Sequence, residues 1–253
     1  VSATLEGPAR VDAPPTEDGL PLATLVWHAR PADARVVVLV LHGGAIDGFE
    51  PNRPWSHNVA RLVPFARALA TRVPGPVAVA RLRFRVRGWN GADAMPVLDT
   101  EWALRELREA YPGVPIGVVG HSMGGRTALH VGSEPDVRLV IGLAPWIEPG
   151  DPAPGAAQRT VLIHGDRDII CGLSRSRSLV ERMQADGLDA SLVRVERGDH
   201  AMLVRWPLWT RLVTGVVAAT FAAELGHAEE PPTGPEGAVV AQIVHSGGVV
   251  IDI

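Results

Sequence analysis

Residues Val36 to Leu41 read Val-Val-Val-Leu-Val-Leu, an unbroken apolar run rich in β-branched side chains. Neighbouring side chains of a strand point to opposite faces, so this run suits a strand buried on both sides, as in a parallel sheet covered by helices. Similar short runs recur at Val77 to Phe84, Ile116 to Val119, Val137 to Leu143, Thr160 to Ile163 and Ala190 to Val195, with Thr24 to Ala29 as a shorter one ahead of them. Helical spacing fills the intervals. In Pro54 to Arg72, apolar residues Trp55, Val59, Leu62, Val63, Ala66 and Leu69 recur at three and four, and Pro64 predicts a kink or interruption there. Ala92 to Tyr111, Met123 to Val131, Leu173 to Ala185 and Trp206 to Glu224 read as further helices. Strand and helix alternate about five times, which predicts one α/β domain over residues 24–225: a mostly parallel sheet with crossover helices.

The flanks differ. Residues 1–23 are rich in Pro, Gly and acid and read as a loose arm or an edge hairpin. Gly226 to Gly237 reads as a linker, and Ala238 to Ile253 as an apolar, β-prone tail that suits an added edge strand or an oligomer contact. The tail leaves a homo-oligomer open.

Composition narrows the chemistry. A formal net charge of -4 over 253 residues argues against a nucleic-acid partner held by counterion release. The single cysteine, Cys171, excludes a disulfide framework and a Cys-based zinc site, and the histidines show no ligand spacing such as H-E-x-x-H, so no metal is expected. All 24 basic residues are Arg, which removes Lys Schiff-base and Walker-type chemistry. The longest apolar stretches fall short of the roughly 18 residues a bilayer span needs, and the sequence opens on no leader-like pattern. A cytoplasmic protein without a membrane partner is the expectation.

Gly120-His121-Ser122-Met123-Gly124 is a G-x-S-x-G that follows one predicted strand and opens a predicted helix. That setting is the one a nucleophile elbow needs: a tight turn lifts the Ser hydroxyl above the sheet edge, and the helix N-terminus faces the reacting centre. A hydroxyl needs a base, and the base needs an orienting acid. His164-Gly165-Asp166-Arg167-Asp168 and Gly198-Asp199-His200 each follow a later strand. In a parallel sheet all strand C-termini share one edge, so Ser122, Asp168 and His200 can converge there.

These motifs together, with His42-Gly43-Gly44, resemble the α/β-hydrolase fold in its small bacterial type, over roughly residues 24–224. The resemblance implies Ser122 as nucleophile, His200 as general base and acid, and Asp168 as orienting acid. Asp166, Asp199 and Asp151 are the rival acids. It implies an oxyanion hole built from the Gly44 and Met123 amides, with Ala45 as a substitute if the loop runs differently. The interval Trp146 to Arg159 is short and full of Pro, Gly and acid, which implies no sizeable cap domain and an open site.

A small or medium carboxylic ester is therefore the expected substrate, cleaved through an acyl-enzyme without a cofactor. Arg81, Arg83, Arg85 and Arg87 alternate with apolar residues, so their guanidinium groups share one side of an extended segment. Arg83 and Arg85 are candidates for a substrate carboxylate or phosphate, which would favour a CoA-like thioester or acyl transfer instead. Trp146 and Trp89 are candidates for an aromatic pocket wall. A non-catalytic binding protein on the same scaffold is the reading from another class.

Overall fold

The Val36–Leu41 run forms strand β3, buried along its whole length inside a nine-stranded sheet. The computed structural model describes residues 9–17, 19–156, 158–226 and 234–253. The other strands are β1 (Arg10–Asp12), β2 (Thr24–Ala29), β4 (Val77–Arg83), β5 (Ile116–His121), β6 (Val137–Leu143), β7 (Arg159–Gly165), β8 (Ala190–Val195) and β9 (Val250–Asp252). Their order is β1-β2-β4-β3-β5-β6-β7-β8-β9. The β1–β2 and β2–β4 pairs are antiparallel and all others parallel. Hence β3, β5, β7 and β8 deliver their C-termini to one edge.

Helices cover both faces. They are α1 (His57–Arg61), α2 (Val63–Arg72), α3 (Met95–Ala110), α4 (Met123–His130), α5 (Leu173–Ala185), α6 (Trp206–Thr220), α7 (Ala222–Leu225) and α8 (Pro235–Ser246). Leu104 and Leu107 of α3, Leu129 of α4 and Met183 of α5 join one core with Leu39, Val118 and Leu192 of the sheet. Phe65 and Leu69 of α2, Leu212 and Val216 of α6 and Ile243 of α8 join the other, with Val38, Val119 and Ile141. Alternate residues of each strand thus feed opposite cores, as two-sided burial demands.

The expected helix over residues 54–72 is two helices. The break falls at Leu62, and Pro64 sits in the first turn of α2, where its missing N–H has no helical partner to lose. Between β6 and β7, the described residues contain no helix, so no cap covers the edge there. No helix among the described residues is long and apolar enough to cross a membrane.

The sheet reaches beyond residues 24–225 at both ends. β1, from the stretch read as an arm, pairs along β2. Most of the apolar tail is helical: α8 lays Val239, Val240 and Ile243 into the core beside α6, and β9 closes the sheet along β8. Of the stretch read as a linker, 227–233 lies outside the described residues.

Candidate active site

Ser122 stands between the last residue of β5 and the first of α4, with φ 54° and ψ −118°. Such a backbone is strained for a residue with a side chain, and it persists because neighbours fix it. The Ser122 N–H donates to Leu143 O at 3.0 Å, and its carbonyl accepts from Trp146 N and Arg126 N, each at 3.1 Å. Glycine is required on either side. A Cβ on Gly124 would lie 2.6 Å from the carbonyl oxygens of Leu41 and His42, and one on Gly120 would collide with the Gly124 carbonyl.

Asp168 follows β7 and its carboxylate is fully buried. Oδ2 accepts from His200 Nδ1 at 2.8 Å, and Oδ1 accepts from the amides of Ile170 and Cys171, both at 2.8 Å. His164 Nε2 lies 3.2 Å from Oδ2. Burial opposes ionisation of this carboxyl, but the bonds from His164, His200 and the Cys171 amide outweigh it and hold the group well below the usual carboxylate range. Asp168 is therefore an anion that orients the His200 ring.

The two loops that carry Asp168 and His200 touch through backbone. Arg167 N donates to Gly198 O at 3.0 Å, and a Cβ on Gly165 would collide with that same carbonyl. Asp166 Oδ1 accepts from Arg197 N at 2.6 Å, and Asp199 Oδ1 from Val204 N at 2.9 Å, so both rival acids brace loops. Asp151 is engaged elsewhere, with Arg126 Nε at 2.9 Å and His130 Nε2 at 3.1 Å.

Ser122 is linked to this pair through its neighbours. The His121 ring lies 4.9 Å from the His200 ring, and the Ser122 hydroxyl is close enough to the Cys171 thiol to influence it. Burial pushes that thiol up to about 12, so it is protonated beside the serine at neutral pH. Gly43 packs against the same turn: a Cβ there would be 3.1 Å from His121 Nδ1 and 3.3 Å from Ser122 Cβ. The Gly44 loop also lies over the Met123 side chain. As the first residue of α4, Met123 has an N–H with no acceptor inside the helix.

Trp89 and Trp146, the two expected wall residues, come together with ring centroids 6.0 Å apart. The Arg126 guanidinium lies 4.1 Å from the Trp89 centroid and 4.5 Å from that of Trp146. Arg83 and Arg85 have internal partners instead. Arg83 bonds Thr24 Oγ1 at 2.6 Å and Asn52 O at 3.2 Å. Arg85 pairs with the fully buried Asp99. Arg83 and Arg85 thus brace β4 and the segment after it to β2, α3 and the loop after β3.

The sequence reading missed three contacts: His164 with Asp168, His121 with the backbone of His200, and Arg126 with both Trp rings. The first two lay inside the quoted motifs, since His164 and His121 sit beside the expected acid and nucleophile. Arg126 is four residues beyond Ser122, one helical turn on, and its spacing to Trp89 and Trp146 carries no local signal.

No protein-family model matches the chain, and no curated protein sequence matches it. Solved structures do. An α/β serine hydrolase homologue from Coxiella burnetii is similar with a TM-score of 0.62 at 16% identity, over 84% of this chain and 98% of that one. A lidless α/β serine hydrolase from Xanthomonas campestris is similar with a TM-score of 0.59 at 20% identity, over 90% and 96%. An esterase from Pyrococcus furiosus is similar with a TM-score of 0.59 at 16% identity, over 89% and 99%. The sheet order, the helices on both faces, the missing cap and these likenesses make this an α/β-hydrolase fold.

Proposed function

We propose that the protein is a serine hydrolase cleaving small or medium carboxylic esters through an acyl-enzyme on Ser122. The supporting observation is the buried, ionised Asp168 bonded to His200 Nδ1 at 2.8 Å, on the sheet edge where Ser122 occupies a strained turn. With Nδ1–H donated to Asp168, the neutral ring presents Nε2 as the base. In the proposed reaction His200 Nε2 takes the Ser122 proton as Oγ attacks the ester carbonyl. The C–O bond to the alcohol breaks, and His200 returns that proton to the leaving oxygen. Water then adds to the acyl carbon with the same base, and the acid departs. The Gly44 and Met123 amides serve as oxyanion donors, each worth about 2.7–4 kcal/mol to the transition state. These steps call for no cofactor. Trp146 and Trp89 are kept as the proposed pocket wall.

The thioester and acyl-transfer alternative drew on Arg83 and Arg85 as anion ligands. Their engagement with Thr24, Asn52 and Asp99 removes that support. The likeness to an esterase and to a lidless hydrolase supports the ester reading at the level of fold.

A fluorophosphonate probe tests the proposal. Wild type is expected to be labelled at Ser122 and to turn over short p-nitrophenyl esters, whereas Ser122→Ala does neither. Labelling at another residue, or ester turnover retained by Ser122→Ala, would remove Ser122 as nucleophile.

A further inference from the structure

His164 is the penultimate residue of β7 and its side chain is fully buried. Its Nε2 lies 2.9 Å from the Cys171 carbonyl and 3.2 Å from Asp168 Oδ2. Neither neighbour can donate: one is a carbonyl and the other an ionised carboxylate. Nε2 must therefore carry a proton, which fixes the tautomer or charge state on that side of the ring. On the other side, Nδ1 meets the hydroxyl of the buried Ser176 of α5 at 2.8 Å. A hydroxyl can donate or accept, so it satisfies Nδ1 in either state.

The contacts close a ring. Asp168 Oδ1 accepts from the Cys171 amide at 2.8 Å, the Cys171 carbonyl accepts from His164, and the same His164 Nε2 lies 3.2 Å from Asp168 Oδ2. Oδ2 is also the atom that His200 uses. One carboxylate oxygen thus faces two imidazole N–H groups, one from β7 and one from the loop after β8. The shorter contact goes to the Cys171 carbonyl. An N–H dipole 3.2 Å from a carboxylate in a buried site still disperses its charge.

We infer that His164 is a positioning residue for the acid–base pair, fixing the Asp168 carboxylate plane and limiting the negative charge that Asp168 offers to His200. The inference rests on the proposed roles of Asp168 and His200. Without the His164 N–H, Asp168 would hold the His200 imidazolium more tightly, and the base would be lost to protonation at higher pH. Other charged and titratable groups near the pair are His121 from β5, Arg61 from α1, Asp199 beside His200, Glu148 after β6 and the Cys171 thiol. Among the described residues, His164 and His200 are the imidazoles within ion-pair distance of Oδ2.

Two near-isosteric variants separate positioning from bulk structure. His164→Gln keeps an N–H close to the Nε2 position; His164→Asn keeps one close to Nδ1, facing Ser176, and removes the donor to Asp168. For His164→Asn we expect the acid limb of kcat/KM against pH to move up by about half a unit to one unit, the size a neutral hydrogen bond supplies. Plateau turnover should fall about tenfold. His164→Gln should keep the wild-type limb. Identical limbs in all three folded proteins would overturn the inference, even if both variants lose stability.

A second measurement needs no variant. In 15N-labelled wild type, the His164 Nε2–H resonance should be protected from exchange. It should also shift in step with His200 titration, because both donors share Asp168. A signal that ignores that step overturns the inference. The readout does not depend on turnover: loss of the Ser122 reading with the step intact would fault the proposed reaction alone.

Discussion

His121 donates its Nε2–H to the backbone carbonyl of His200 at 2.9 Å, so the residue preceding the candidate nucleophile holds the loop of the candidate base. The carbonyl can only accept, which places the proton on Nε2. Its Nδ1 is buried with no hydrogen-bond partner among the described residues. His121→Phe keeps the ring contact and loses the bond. Turnover should fall about tenfold, as for one neutral hydrogen bond. His121→Gln, which retains a donor near Nε2, should recover much of the loss. Equal activity in wild type and His121→Phe would show that the loop needs no such tether.

Backbone strain at Ser122 has a measurable side. Ser122→Ala keeps the strain and should leave the melting temperature almost unchanged. Ser122→Gly relieves a cost of roughly 1–3 kcal/mol and adds about 0.5–1 kcal/mol of unfolded-state freedom. The glycine variant should therefore melt above the alanine one, by calorimetry under identical conditions. A lower melting temperature for Ser122→Gly would mean that the turn is not strained.

Asp168→Asn removes the charge that orients and stabilises the His200 imidazolium and should reduce kcat by about a thousandfold or more. Asp166→Asn keeps an oxygen that can accept from the Arg197 amide and should change kcat little. Parallel kcat measurements decide. The opposite ranking would transfer the acid role to Asp166.

Acid should weaken the fold well before its carboxylates titrate. Burial is the largest influence on His42 and His121 and lowers them to about 4 and about 3, from an ordinary value of 6.5. Below pH 6.5 the unfolded chain binds protons at these positions and the folded chain does not, so stability falls as pH falls towards the folded values. Each contributes a loss on the order of 3 kcal/mol by pH 4. Above pH 7 neither contributes any slope. Asp168, held below its ordinary value, adds a further loss only at lower pH still. Urea unfolding at pH 7, 5.5 and 4.5 should show this decline, with a shallower slope in His121→Gln. A free energy constant from pH 7 to 4.5 would contradict the burial of both rings.

Arg126→Met leaves the Asp151 carboxylate, nine-tenths buried or more, without its guanidinium partner. Breaking such a pair costs about 3–5 kcal/mol, and the double change Arg126→Met with Asp151→Leu should recover a large share. The same change frees the Trp89 and Trp146 rings from their cation. If those rings line the substrate pocket, KM should change more than kcat. Denaturation and steady-state kinetics on the same preparations separate the two effects.

The strands were legible because burial on both faces leaves unbroken apolar runs, as in Val36–Leu41. The site motifs were legible because glycines mark close backbone approach, as Gly120 and Gly124 do around Ser122. The tail was not. Val239, Val240 and Ile243 are β-prone, yet their spacing of three and four packs one helical face against α6, and that burial outweighs local preference. The partners of the Arg row were not legible for a related reason. Alternation places the side chains of Arg83 and Arg85 but says nothing of Thr24, Asn52 or Asp99, which arrive from other parts of the chain. The ties of His164 to Cys171 and Asp168 were not legible either, since they depend on how the loop after β7 folds back.

The short strand β9 does more than close the sheet. Ile253 O accepts from Glu196 N at 2.7 Å and from an Arg205 guanidinium N–H at 2.9 Å. Glu196 and Arg205 bracket the segment that bears His200. An edge strand of three residues is among the first elements to fray on warming. Detachment of β9 would loosen both anchors of that segment while the central strands stay folded. The working temperature limit of such a protein is then set at its margin, and turnover would fade below the temperature at which the core melts.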